Sequence, residues 1–213
     1  MPSQTCACIL GLAIVLLAAP AFPESDGFVV NERLRGSVNE FGVITKLDNA
    51  VGYNFNRHFG VDVGLPVYFV RPSDSYAAML GAARNGIGNV YADLRFQAVN
   101  PAVNFASMLT ATAPTGDKAS GFSTGRPTYD WTNHFDRSFG RLTPFANVGI
   151  ANTISDTPFF IRPFSTLGFV GHLEGGAEYR LVSQLSVGAS AYDIAPSGQQ
   201  RIVSRVAQTK STI

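Results

Sequence analysis

The chain has 213 residues and a formal net charge of +1. This length fits one barrel or one large sandwich, and the near-neutral charge gives no reason to expect a nucleic-acid partner. Both cysteines, Cys6 and Cys8, lie in the first ten residues. The rest of the chain therefore offers no disulfide framework, cysteine metal site or thiol nucleophile. The 21 glycines and 16 phenylalanines favour β structure over helix.

The N-terminus resembles a secretory signal peptide. Residues 9–19 are apolar, and Ala19-Pro20-Ala21 is a small-x-small cleavage site, so we predict a signal peptide over 1–21 and one β-barrel domain over 22–213. No Lys or Arg precedes the apolar run, which a misassigned start codon would explain. A buried N-terminal helix is the alternative. The mature chain has no long apolar segment, so a helical membrane protein is not expected.

After the signal peptide, apolar and polar residues alternate with the period of a β-strand. Residues 22–35 are mixed in character, and no strand is predicted for them. Pro66 lacks an N–H group and predicts a bulge or an interrupted pairing. Short turns are expected at 56–58, 100–102, 136–140 and 182–184, and long loops at 71–86, 114–126 and 152–163. Strands are predicted within 35–44, 46–55, 61–69, 88–97, 104–113, 128–135, 141–151, 167–179 and 185–193.

Short turns on one side and long loops on the other are typical of a transmembrane β-barrel. The charged residues fall on the face opposite the apolar one, and aromatic residues end several strands, at Tyr53, Phe55, Phe69 and Tyr179. Charges are costly on a lipid face, and aromatic residues collect at bilayer interfaces. We therefore predict an all-β, antiparallel, up-and-down transmembrane β-barrel. A soluble β-sandwich, with its polar face to water, is the alternative.

Three segments resemble the porin-like outer-membrane proteins of the MetA-pathway of phenol degradation family: 86–94 (GIGNVYADL), 113–117 (APTGD) and 121–126 (GFSTGR). The resemblance covers roughly residues 86–192. It implies a place in the outer membrane of a Gram-negative bacterium, with outer-membrane lipid and the barrel-assembly machinery as partners. The chain departs from the family at its polar end, 208–213, which lacks a terminal aromatic residue, and fewer strands are visible. We therefore expect a C-terminally truncated barrel that does not assemble alone.

For function, the sequence predicts porin-like passage of a small solute whose identity it does not give. Charged and histidine side chains on the polar face are the candidate lumen lining: Asp93, Arg95, Asp130, His134, His172, Glu174, Glu178 and Arg180. The alternative is that these side chains pair and fill a narrow barrel. A non-transporting barrel for envelope structure or adhesion is the second hypothesis.

A barrel-embedded lipid hydrolase is the third hypothesis, and we predict that the protein is not an enzyme. Ser123, Asp130 and His134 form a triad only on paper, because a census of residue types gives no geometry. His58 falls in a short turn, where a solvated role is expected. Residues 116–121 lack the Gly-Lys-Ser/Thr ending of a phosphate-binding loop. No cofactor or metal is predicted.

Overall fold

The computed structural model describes residues 9–11, 26–39, 42–73, 85–118, 122–153, 164–182, 185–204 and 210–212. Within these ranges no helix is long and apolar enough to cross a membrane. The same residues form twelve β-strands: β1 Ile9–Gly11, β2 Gly27–Asn39, β3 Gly42–Asn54, β4 Phe59–Pro72, β5 Asn85–Ile87, β6 Tyr91–Ala98, β7 Asn104–Thr112, β8 Thr128–Asp136, β9 Leu142–Thr153, β10 Phe164–Val182, β11 Leu185–Ser204 and β12 Lys210–Thr212.

All twelve strands belong to one antiparallel sheet that curls into a half-barrel. The long strands follow chain order from β2 through β3, β4, β6, β7, β8, β9 and β10 to β11. The short strand β5 pairs with β4, while β1 and β12 both pair with β11. A sandwich needs two packed sheets, and the described strands form only one. The all-β, antiparallel prediction is therefore confirmed.

The first predicted strand, within 35–44, is wrong. Residues 27–39 form β2, and Asn39 pairs with Gly42 at the start of β3. Gly42 has a φ of +130°, and a Cβ on it would overlap the backbone of Arg71. Gly42 therefore lies at a chain reversal, whereas the predicted strand within 35–44 runs through this position. Glu32 interrupts the apolar face of β2, so the alternation of apolar and polar residues in this strand is not evident from the sequence.

The other predicted strands lie within or close to observed ones, although β10 and β11 extend further, to Val182 and Ser204. The short turns at 56–58, 100–102 and 136–140 join successive strands at one end of the sheet. Parts of the three predicted long loops, the turn residues 183–184 and most of the predicted signal peptide lie outside the described residues. Of residues 1–21, Ile9–Gly11 form β1.

Pro66 lies at an interrupted pairing, as predicted. On one side, β4 pairs with β3 in continuous register, including Asp48 opposite Pro66. On the other side, β4 pairs with β6 only up to Gly64 and with β5 only from Val67. The carbonyl of Pro66 accepts a hydrogen bond from Gly88 N at 2.8 Å, so its missing N–H faces the interruption. The proline thus breaks no bond of the β3–β4 ladder.

The two faces of the sheet differ in exposure, and the difference is the reverse of that in water-soluble proteins: the polar face is buried and the apolar face is exposed. On the polar face, Asp62 and Glu174 are only 5% and 2% exposed, whereas Phe28 and Val63 on the apolar face are 85% and 56% exposed. From β3 to β10, the described strands place no Asp, Glu, Lys or Arg on the apolar face except Arg71, at the end of β4. The curl therefore encloses the polar face and leaves the apolar face outside.

Aromatic side chains form a row along the apolar face at the short-turn end. Phe59, Phe96, Phe105 and Phe135 lie on β4, β6, β7 and β8, with successive ring centroids 4.9, 6.0 and 5.1 Å apart. The row continues with Phe28 on β2, Tyr53 on β3 and Phe55 directly after β3. Two of the predicted strand-end aromatics belong to this row.

The turn between β3 and β4 is held by the side chain of Asn56. Its Oδ1 accepts hydrogen bonds from the N–H groups of His58 and Phe59, at 2.8 and 3.0 Å. Asn56→Ala should lower the free energy of unfolding by about 1 kcal/mol, because two N–H groups lose their acceptor. Urea unfolding measures the loss. Asn56→Asp keeps the acceptor and should restore most of it; equal losses in both variants would contradict this role.

Candidate functional site

The eight predicted lining residues all lie on the polar face. Cross-strand register pairs Asp93 with Thr110 and Arg95 with Met108. On the next strand, Thr110 pairs with Asp130 and Met108 with Thr132. In the same way His134 pairs with Asn147, and Glu174 pairs with Tyr192. On β10, His172, Glu174, Glu178 and Arg180 lie on one face at alternate positions, with Gly176 between the two glutamates. Arg95 belongs to one cluster on this face, and Asp130, His134, His172 and Glu174 belong to a second one. Asp93, which accepts a hydrogen bond from Thr110, belongs to neither cluster, and the same is true of Glu178 and Arg180.

The first cluster, here the β3–β6 cluster, joins charged residues of four strands. Arg95 forms an ion pair with Asp62 and donates to Asn54 Oδ1 at 3.0 Å. Asp48 accepts from the hydroxyl of Tyr91 at 2.8 Å, and it lies 3.4 Å from both Arg35 and Lys46. The members are Arg35, Lys46, Asp48, Asn54, Asp62, Tyr91 and Arg95. Both carboxylates of the cluster, Asp48 and Asp62, therefore have a cation partner within the wall.

Glycines let these side chains lie flat against the sheet. A Cβ on Gly64 would overlap the ring of Tyr91, and one on Gly60 would meet Arg95 Nη2 at 2.8 Å. A Cβ on Gly52 would likewise overlap the carboxylate of Asp62. The long polar side chains fill the space that their neighbours on adjacent strands leave empty. They consequently extend along the wall, not away from it.

The second cluster, here the β8–β10 cluster, contains two histidines and more carboxylates. His134 Nδ1 lies 2.6 Å from Asn147 Oδ1, and Asn147 Nδ2 donates to Glu174 Oε2 at 2.8 Å. His172 Nε2 lies 3.4 Å from Asp130 Oδ1. The members are Asp130, Thr132, His134, Asp136, Asn147, His172 and Glu174. A chain of hydrogen-bonding side chains thus crosses β8, β9 and β10.

The structure does not bring together Ser123, Asp130 and His134, the three residues of the hypothetical catalytic triad. Ser123 Oγ accepts a hydrogen bond from Gly125 N, whereas Asp130 contacts Thr132 and His172. His134 contacts Asn147 and lies 3.2 Å from Asp136. No group of three or more His, Cys, Asp or Glu side chains suited to a metal ion occurs in the part of the chain that the structure describes.

The segment between β7 and β8 reaches the polar face at its long-loop end. Phe122 is 6% exposed, and its ring stacks on Tyr68 with centroids 5.8 Å apart. Together with Ile44 and Val70 they form a buried apolar cluster. Predicted only as an external loop, this segment therefore contributes an aromatic side chain to the inner face.

Sequence reasoning missed several residues of the two clusters. Lys46, Asp48 and Asp62 fall on the less apolar face of their strands in the sequence, but they are not among the eight candidates. Tyr91 and Asn147 carry no local signal, because their partners lie 43 and 27 residues away in the chain. Only the order of strands in the sheet brings these partners together.

The comparisons with known proteins add no relative. No family model matches the chain, and no curated protein matches its sequence. The resemblance of residues 86–94, 113–117 and 121–126 to the MetA-pathway family therefore stays a prediction.

Proposed function

We propose that the protein is an outer-membrane β-barrel of a Gram-negative bacterium that lets small solutes pass along its polar face. The observation that carries the proposal is the inverted arrangement of the faces. Side chains as apolar as Phe28 and Val63 are exposed while Asp62 and Glu174 are buried. An exposed apolar surface of this extent marks a membrane or protein contact, and only a closed barrel satisfies strand backbones in lipid.

The dimensions of the apolar face agree with a bilayer. On β4 the aromatic row lies at Phe59, and Phe69 lies at the opposite end of the same face. Ten residues at about 3.3 Å each give roughly 33 Å, and a strand tilt of about 40° reduces this to a height of roughly 25 Å, the usual height of the apolar band. The aromatic row then lies at one bilayer interface.

The polar face supports a route for polar solutes. Because each carboxylate of the β3–β6 cluster has a cation partner within the wall and the cluster packs against glycines, its side chains need no partner from the opposite wall. The β8–β10 cluster adds carboxylates and two histidines on the same face. Charged groups lining a route set its preference among ions and small polar molecules. A signal peptide over 1–21 and the barrel-assembly machinery as partner remain parts of the proposal.

Single-channel recording tests this function. The 213-residue protein is first refolded in detergent micelles, and heat-modifiable gel mobility would show a compact barrel and overturn the expectation that this chain does not assemble alone. The compact protein is then added to a planar bilayer. We expect discrete current steps, and we expect vesicles containing the protein to swell in small neutral sugars. Compact protein that inserts without current would favour the non-transporting envelope barrel. Protein that does not insert would overturn the membrane location.

A further inference from the structure

A shallow groove lies on the apolar face where β4, β6 and β7 meet. Cross-strand register pairs Val63 with Ala92 and Ala92 with Ala111. A hydrogen bond from Ala113 N to Val90 O, at 2.9 Å, continues this alignment toward the long loops. The groove has a volume of about 340 Å³, and its walls include Val63, Val90, Ala92, Ala111 and Ala113.

Alanine side chains between larger ones produce this groove. Ala92 and Ala111 are exposed and lie on neighbouring strands. Val63 on β4 flanks them on one side, and Tyr129 on β8, which pairs with Ala111, flanks them on the other. Both flanking side chains are also exposed. The alanines therefore form the floor of a depression that can accept an unbranched hydrocarbon chain.

Two cations lie at the long-loop end of the groove. Pro114 and Pro127 line it there, and Arg126 directly precedes Pro127 in the chain. Lys118 returns to the same place, because a Cβ on Gly125 would meet its Nζ at 3.0 Å. Both cations are exposed, and neither forms a salt bridge with another residue that the structure describes.

The chain length between Arg126 and the aromatic row places these cations at the second bilayer interface. Arg126 lies nine residues before Phe135, a member of the row. At about 3.3 Å per residue and a tilt of about 40°, these residues rise roughly 23 Å, close to the usual apolar band of about 25 Å. In the proposed barrel, the groove therefore lies among acyl chains and the cations lie among headgroups.

We propose that this groove binds a lipid with a negatively charged phosphate headgroup. One acyl chain lies over Ala92 and Ala111, and the phosphate lies beside Lys118 and Arg126. Contact with apolar walls and attraction to two cations act together on the same molecule. A zwitterionic lipid carries its own cation and gains less from this site. The inference rests on the proposed place in the outer membrane and adds the class of lipid on the long-loop side.

The fluorescence of Trp131, the single tryptophan, detects a lipid in this groove. Trp131 lies on β8 two residues from Tyr129, and bromine atoms on a nearby acyl chain quench an indole. The 213-residue protein is placed in phosphatidylcholine vesicles that contain either brominated phosphatidylglycerol or brominated phosphatidylcholine. We expect brominated phosphatidylglycerol to give the same quenching at an about fivefold lower fraction, which is the usual effect of one cation at an anionic lipid surface.

Removal of the two cations tests the headgroup contact. Lys118→Gln combined with Arg126→Gln should abolish most of this preference. Arg57→Gln combined with Arg137→Gln is the matched control, because both arginines are exposed at the short-turn end and their removal changes the net charge equally. The control should keep the preference. An equal loss in both double variants would show a general effect of charge and overturn the inference.

Filling of the groove tests the acyl-chain contact. Ala92→Leu combined with Ala111→Leu should lower the preference although both cations are retained. Ala189→Leu combined with Ala191→Leu changes two exposed alanines on the apolar face of β11 and should have no effect. A preference that is the same in both double variants would contradict binding in the groove.

Three outcomes for the unmodified protein separate the inference from the proposed function. Inserted protein that both brominated lipids quench equally overturns the inference and leaves the proposed location intact. Weak quenching by both lipids, together with chemically cross-linked dimers, assigns the groove to a second copy of the chain and also overturns the inference. Protein that does not float with the vesicles contradicts the proposed location, and the inference fails with it.

Discussion

Arg95→Met should lower the free energy of unfolding by about 3 kcal/mol, the usual cost of removing one partner from a buried ion pair. Arg95 neutralises Asp62, whose side chain is 6% exposed, and also donates to Asn54. Without the guanidinium, the carboxylate of Asp62 stays enclosed near Asp93 and Asp48 with no cation paired to it. Urea unfolding of vesicle-embedded protein, followed by the fluorescence of the single tryptophan, Trp131, measures the change.

Two further variants serve as controls for this result. Arg180→Met removes an exposed arginine from the same face of β10 and should cost no more than about 0.5 kcal/mol. Arg95→Met combined with Asp62→Leu removes both charges, and we expect it to recover most of the loss. A loss for Arg95→Met as small as that for Arg180→Met would show that the β3–β6 cluster is solvated and not enclosed.

Val63→Arg should destabilise the folded protein by about 2–4 kcal/mol in a bilayer, the cost of arginine on the lipid face near the membrane centre. Val63 lies on the apolar face of β4, about midway between Phe59 and Phe69, and is 56% exposed. At an equally exposed site in water, the same change would cost no more than about 0.5 kcal/mol. Equilibrium unfolding from lipid vesicles distinguishes the two environments.

Val99→Arg is the matched control for this substitution. Val99 is also an exposed valine, but it lies in the short turn between β6 and β7. In the proposed barrel this turn lies outside the hydrocarbon layer, and the arginine should have little effect. Similarly small losses of stability at both positions would show that the apolar face does not contact lipid. That result would contradict the proposed location in the outer membrane.

The period-two alternation was sufficient to predict most strands and the sorting of residues between the faces. In β4, for example, the alternation puts Val61, Val63 and Val67 on one face and Asp62 on the other, which is the observed arrangement. The same alternation explains why the eight candidate charges share a face. It failed in β2, where Glu32 and Gly36 occupy positions on the apolar face, because a local pattern requires apolar residues at nearly every second position.

Contacts between strands could not be predicted in this way. The pairing of Arg95 with Asp62 spans 33 residues and depends on β4 and β6 being neighbours. The burial of Phe122 depends on its contacts with Tyr68, Ile44 and Val70, which lie far away in the chain on β3 and β4. The glycines at 60, 64 and 86 are evident in the sequence, but the side chains that pack against them come from other parts of the chain. The sequence therefore does not predict these contacts.

The strand order has a consequence for how the sheet can close. Successive long strands alternate in direction, and eight steps separate β2 from β11, so these two strands run the same way. Joining them directly would create one parallel seam in an otherwise antiparallel wall, with slanted hydrogen bonds. In the proposed barrel, an antiparallel seam would need an odd number of intervening strands, and β12 already lies antiparallel along that edge of β11. The strand at this junction would therefore lie outside the nine long strands.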